Sequence, residues 1–453
     1  MRRHLTTWAF LASAALIAGA MPAVAQTGLR ATEELRPAVP PVLPLREQAR
    51  IRDGWLKERL DTIVPALMRE QGIDMWVLVA REYMEDTVVA TMLDAQSMSA
   101  RRRTILMFYD PGAGKPVERL TVSRYGLAGL FPSAWTPETQ PDQWKRLAEL
   151  IAARDPKKIA LNISPLTAFG DGLTHGQYLD LTAALPPALR TRIVSGEELA
   201  VGWLETRIPA EMALYPQIVR TAHAIMAEGM SDAVITPGKT TADDVMWWYR
   251  ERIAGLKLDT WFQPSVHIFR KGEKSDLDGD VVIQPGDMLW TDFGITYMGL
   301  NTDTQHLAYV LKPGETDAPA GLRAGMAAAN RVMDMLTASF RTGLTGNQML
   351  AAAREKALAA GLSPNIYSHP IGYHGHAAGS AIGFWDNQMP GPSGNHALRP
   401  NTAWSIELSN TATVPEWDNQ AVVFRREEDA FFDGKTVQYI DGRQTAFHLI
   451  GGR

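Results

Sequence analysis

The chain has 453 residues, enough for two or three domains, and its 45% apolar content excludes disordered and fibrous classes. A formal charge of −5 leaves no electrostatic footprint for nucleic acid or an anionic membrane surface. There is no cysteine, which excludes a thiol nucleophile, a thiolate metal site and disulfides, so stability rests on packing and on any bound metal.

Residues 1–25 read as a secretory signal. Arg2, Arg3 and His4 form its basic start, Trp8 to Ala20 is apolar, and Ala23, Val24 and Ala25 are small residues before a cut. The expectation is a secreted or periplasmic protein starting at Gln26, with no stable membrane anchor because the apolar run is too short to span. Losing Arg2 and Arg3 takes the formal charge from −5 to −7. Residues 26–45 are rich in proline and lack helical or strand period, which predicts an extended linker. Residues 46–205 alternate helix and strand patterns. A long amphipathic helix over Arg46 to Glu70 precedes a buried strand at Met75 to Ala80, with further strands at Thr104 to Tyr109 and Lys158 to Asn162 and a helix over Pro141 to Ala153. This predicts an N-terminal α/β domain, and no catalytic constellation stands in it.

The second domain is predicted over residues 206–453, opening with a long helix through Ala222 to Ala233. Its sequence repeats. Ile283 to Asp292 aligns without gaps on Leu398 to Glu407, with Pro285 on Pro400 and Asp292 on Glu407. Upstream, Pro237 to Thr241 matches Thr342 to Gly346, each followed by another helical stretch. Two copies of so long a unit predict a closed α+β domain with a pseudo-twofold axis rather than a solenoid. Asp292 and Glu407 each end an apolar run, and a second acid follows each, Asp303 and Glu428. Four carboxylates brought to one axis cannot all remain ionised without a cationic partner, and divalent metal is the simplest one. A calcium loop at Asp276, Asp278 and Asp280 is a rival, but Gly279 is misplaced for an EF-hand. The third element holds His369, His374 and His376 among Gly372, Gly375 and Gly379, a spacing that suits a metal-ligating segment or a surface loop.

These residues resemble the pita-bread metallopeptidases, which include Xaa-Pro aminopeptidases, prolidases, methionine aminopeptidases and the metal-free creatinases. The family's ligand order of Asp, Asp, His, Glu, Glu is met by Asp292 in Asp-Phe-Gly, Asp303 in Thr-Asp-Thr, His369 in His-Pro-Ile-Gly, Glu407 in Ser-Ile-Glu and Glu428 in Arg-Glu-Glu-Asp. The resemblance covers residues 207 to the C-terminus, and more weakly the preceding α/β domain. It implies a pita-bread C-terminal domain binding two divalent ions, manganese first, with zinc, cobalt or iron compatible. Asp303 and Glu428 would bridge the ions, Asp292 would chelate one, and His369 and Glu407 would hold the other. Further implications are a peptide substrate cut next to proline by a metal-bridging hydroxide, Glu407 as proton acceptor, and His376 as donor to the carbonyl or oxyanion. A homodimer is compatible. A competing register takes His374 as the ligand. The sequence also departs from the family: histidine positions are occupied by Ser275 and Asn365, and His306 replaces an arginine. His267 stands where it could fill one vacancy. The alternative is therefore a pita-bread domain that binds metal or peptide with weak turnover or none.

Overall fold

The computed structural model describes residues 38–112 and 114–451. The proposed signal and most of the linker lie outside the described residues. No helix among the described residues is long and apolar enough to cross a membrane.

Helix α1, Leu45–Gln71, ends at Gly72 in the left-handed region and buries Leu56, Leu60, Val64, Leu67 and Met68. It is followed by a five-stranded mixed sheet built from β1 (Met75–Arg81), β2 (Arg103–Tyr109), β3 (Glu118–Thr121), β4 (Ile159–Leu161) and β5 (Ile193–Ser195), in the order β3-β2-β1-β4-β5. The continuous apolar runs of β1, β2 and β4 follow from burial on both faces. Helices α2 (Gln143–Arg154) and α3 (Glu197–Glu205) belong to this part.

Helix α4 runs over Pro209–Gly229, earlier than the expected Ala222 to Ala233. Pro209 supplies the helical φ of the first turn, and Glu211 accepts the backbone N–H of Ile208, so the helix starts there. Helix α5 (Ala242–Gly255), strands β6 (Ser265–Phe269), β7 (Met288–Phe293) and β8 (Thr304–Leu311), helices α6 (Ala320–Thr337) and α7 (Gly346–Ala359), and strands β9 (Pro364–Ile366), β10 (His369–Ile371), β11 (Thr402–Val414), β12 (Gln420–Phe432), β13 (Val437–Tyr439) and β14 (His448–Gly451) complete the domain. The nine strands form one sheet with the path β9-β11-β12-β8-β7-β6, while β10 pairs with β11, β13 with β12 and β14 with β8.

The repeat seen in the sequence is a repeat of hydrogen bonds. Thr241 caps α5 in a capping box with Asp244, and Thr345 caps α7 in one with Gln348. Gly238 and Gly343, both with φ near +80° (80° and 84°), donate to the carbonyls of Ile283 and Leu398. A side chain is strained at that φ, which explains glycine at both turns. Each helix pair covers its own part of the sheet: Ile218, Ala222, Val245 and Tyr249 pack on Leu289 and Phe293, while Val332, Leu336 and Met349 pack on Trp404 and Ile406. Strand alternation then leaves Trp290, Asp292, Ser405 and Glu407 on the face away from the helices.

Candidate metal centre

Five side chains converge on that open face. Asp292 lies near the end of β7, opposite Gln305 of β8, and Gln305 is in turn opposite Glu427 of β12. Glu427 is directly opposite Glu407 of β11. Asp303 sits just before β8, and His369 opens β10 opposite Ser405. His369 Nε2 is 3.7 Å from Asp303 Oδ2 and 3.8 Å from Glu427 Oε1. One ligand atom from each of Asp292, Asp303 and Glu427 fits within 4.8 Å, as does one from each of His369, Glu407 and Glu427, and from each of Asp303, His369 and His376. Asp303, His369 and Glu427 each belong to two of these groups, and Glu427 joins the pair Asp292 and Asp303 to the pair His369 and Glu407.

Glu428 does not join this centre. Residues on a strand alternate between faces, so a shift of one position sends a side chain to the opposite side. Ile406, opposite Glu428, belongs to the helix-facing core, and Glu428 points the same way, to His223 of α4 and His306 of β8. The expectation that Glu428 joins Asp292, Asp303, His369 and Glu407 is therefore corrected: Glu427 stands among them instead. Asp429, one residue further on the open face, accepts from the backbone N–H of Asp303 at 3.3 Å.

The centre carries more negative charge than the protein around it compensates. Burial pushes Asp292 up to about 7, with Asp303 and Arg425 opposing the rise. Burial, then the neighbouring charge of Asp292, pushes Glu407 up to about 8. Asp303 and Glu427 are raised well above the carboxylate range, first by burial and then by the acids around them. Gln305 donates to Glu407 at 2.8 Å and Ser405 donates to Glu427, but buried Asp292 Oδ1, Asp303 Oδ1 and His369 Nε2 have no hydrogen-bond partner. His369 Nδ1 donates to the Pro370 carbonyl at 3.0 Å, so its proton is on that nitrogen and Nε2 offers a bare lone pair. Burial, with His376 adding to it, holds this imidazole neutral at a pKa of about 3. Orphaned oxygens, a neutral imidazole with its lone pair aimed inward and surplus carboxylate charge are what divalent ions require.

A pH dependence follows from these shifts. A carboxylic acid with a raised folded-state pKa binds more protons folded than unfolded, so stability falls as pH rises from the unfolded value to the folded one. For Asp292 and Glu407 that window runs from about 4 to about 8. Metal-free protein is expected to lose melting temperature across it, and metal-loaded protein to lose less, because ions replace the protons. Thermal melts with and without chelator check this; identical slopes would contradict it.

The other candidates are placed as follows. His376 is exposed at the edge of the centre, its ring 4.8 Å from that of His369 and 5.1 Å from that of Trp261. His374 stands apart from the centre, packed on Phe169 at 4.9 Å. His267 shares the open face with Trp290, and its Nδ1 lies 2.8 Å from Asp276, which also accepts from Arg425. Ser275 is an exposed loop residue, and Asn365 bonds to the Trp385 carbonyl.

Residues 217–438 match the model of metallopeptidase family M24. This part of the chain belongs to that family. Among solved structures, the M24 domain and the domain before it are similar in fold to the X-Pro aminopeptidase of Thermotoga maritima, at a TM-score of 0.59 and 16% identity over 85% of this chain and 99% of that one. A Xaa-Pro dipeptidase from Bacillus anthracis gives a TM-score of 0.54 at 16% identity, covering 90% of this chain and 100% of its own. The prolidase of Pyrococcus horikoshii OT3 gives 0.51 at 14%, covering 85% and 99%. No curated protein matches by sequence. At these identities the structural likeness carries the pita-bread fold.

Proposed function

We propose that the M24 domain hydrolyses peptide bonds next to proline, with Asp292, Asp303, His369, Glu407 and Glu427 holding two divalent ions. The observation that carries this reading is the convergence of those five side chains on one sheet face, with Asp292 Oδ1, Asp303 Oδ1 and His369 Nε2 buried and unpaired. In this assignment Asp303 and Glu427 are shared, Asp292 serves one position, and His369 and Glu407 serve the other. When bound, such ions polarise a carbonyl and lower the pKa of water toward neutrality. Manganese comes first for a set of four carboxylates and one imidazole, with zinc, cobalt or iron compatible.

The protein's own groups then divide the work. Gln305 fixes Glu407 from one side, leaving its other oxygen free to take a proton from the attacking water. His376, at the exposed edge, is placed to donate to the scissile carbonyl as charge develops on oxygen. Trp261 packs against its ring and donates to the Thr302 carbonyl at 3.0 Å, which anchors that edge to the segment carrying Asp303. Arg425, whose charge acts on Asp292 and Glu407, lies over Trp290 at 4.8 Å and is bonded to Asp276, so it limits the charge of the face without neutralising it.

The test is turnover of Xaa-Pro peptides, against matched Xaa-Ala peptides, by full-length protein loaded with manganese. His376→Ala is expected to keep its metal and lose about 10²–10³ in kcat. His369→Ala is expected to lose metal. Absence of turnover in fully loaded protein would leave a binding domain instead. Export is part of the proposal, and a mature N-terminus at Gln26, read by intact mass, tests it.

A further inference from the structure

Behind the catalytic face, on the helix side of the same sheet, lies a second cluster of metal-ligating side chains. His223 of α4, His306 of β8 and Glu428 of β12 offer atoms within 4.8 Å of one another. His223 Nε2 is 3.2 Å from Glu428 Oε2, and His306 Nε2 is 3.2 Å from Glu428 Oε1. Zinc bonds of about 2.0–2.2 Å in tetrahedral array put neighbouring ligand atoms about 3.3–3.6 Å apart, close to the separation of His223 Nε2 from Glu428 Oε2.

Two features point to a ligand rather than a closed network. His223 Nε2 and Glu428 Oε2 are both buried, yet neither has a hydrogen-bond partner: the two atoms are close but not aligned on each other. Glu428 Oε1, by contrast, is held by the backbone N–H of Gln444 at 2.7 Å and by Arg426 at 3.1 Å, which fixes the carboxylate with Oε2 turned outward. The outer nitrogens are also engaged. His223 Nδ1 is 3.3 Å from Asp441 and His306 Nδ1 is 3.2 Å from His448 Nε2, the arrangement by which a ligating histidine is oriented through its other nitrogen. A carboxylate oxygen only accepts, so without an ion His306 donates from Nε2 to Glu428 Oε1 and accepts from His448 at Nδ1; an ion would take the place of that Nε2 proton and reverse the His306–His448 bond.

We propose that His223, His306 and Glu428 bind a further divalent ion of the zinc type, separate from the catalytic cluster. Two imidazoles and one carboxylate are a donor set that zinc accepts, with room for a fourth ligand. The ion would tie α4 to β8 and β12 directly behind Glu427.

Crystals of full-length protein equilibrated with zinc chloride alone, measured on either side of the zinc absorption edge, test this. The expected result is an anomalous peak about 2.0–2.2 Å from His223 Nε2, His306 Nε2 and Glu428 Oε2. Zinc in the Asp292 cluster with none among these three atoms would overturn the proposal, whereas zinc here alone would uphold it while counting against the catalytic assignment. As a second readout, His223→Gln is expected to bind one zinc fewer per chain in elemental analysis; unchanged zinc content would overturn it.

Discussion

Replacing Glu427 by Gln is expected to abolish peptidase turnover and to empty both catalytic metal positions together. Glu427 is the one residue that groups with Asp292 and Asp303 on one side and with His369 and Glu407 on the other. An amide keeps the shape but removes the charge that lets one carboxylate serve two cations. The neighbouring change, Glu428→Gln, is expected to leave the catalytic ions in place, because that side chain lies on the helix-facing side of β12 beside His306 and Arg426. Elemental analysis and Xaa-Pro turnover on the two variants decide the register. Metal lost from the catalytic cluster in Glu428→Gln and retained in Glu427→Gln would reverse it.

Glu211→Ala is expected to destabilise the fold by about 3–5 kcal/mol, the range for breaking a buried ion pair by removing one partner. Its side chain and that of Arg59 are fully buried, 3.1 Å apart, and Arg207 lies 3.7 Å away on the same carboxylate. The carboxylate also accepts from the Ile208 N–H at 3.0 Å and from the Tyr373 hydroxyl at 2.7 Å. Removing it leaves two buried guanidinium groups with main-chain carbonyls of Trp203, Leu204 and Thr206 as their acceptors, and it uncaps α4. Tyr373 lies between His369 and His376, so the loss also loosens the segment that carries both. Denaturant midpoints of the variant and the unaltered protein measure the effect; a loss below about 1 kcal/mol, the size of an exposed pair, would contradict it.

The parts of the centre that could be read from sequence are those where a carboxylate follows an apolar run. Asp292 after Met288 to Trp290 and Glu407 after Ala403 to Ile406 are costly placements unless something uses them, and the repeat relates the two. The pita-bread domain was legible for the same reason, since turn glycine, capping threonine and strand recur in each half. Glu427 was harder because three acids stand side by side in Arg425-Arg426-Glu427-Glu428-Asp429, and composition does not say which faces the partner strand. A signal existed. The turn at Pro415 to Asn419 sets Val414 opposite Gln420, and seven residues along each strand from that pair stand Glu407 and Glu427. Asp429, Gln305 and Ser405 were missed because each acts through a cross-strand neighbour rather than a local motif. His223 and His448 come from the first helix and the last strand of the domain, and only the folded sheet brings them to His306.

In the proposed site the open face of the sheet, through Glu427 and not Glu428, holds a pair of divalent ions. Anomalous diffraction from full-length protein crystallised with manganese tests it most directly. Two peaks are expected, bounded by Asp292, Asp303, His369, Glu407 and Glu427, with Asp303 and Glu427 contacting both. Protein that takes up manganese but shows no density among these five side chains would contradict it.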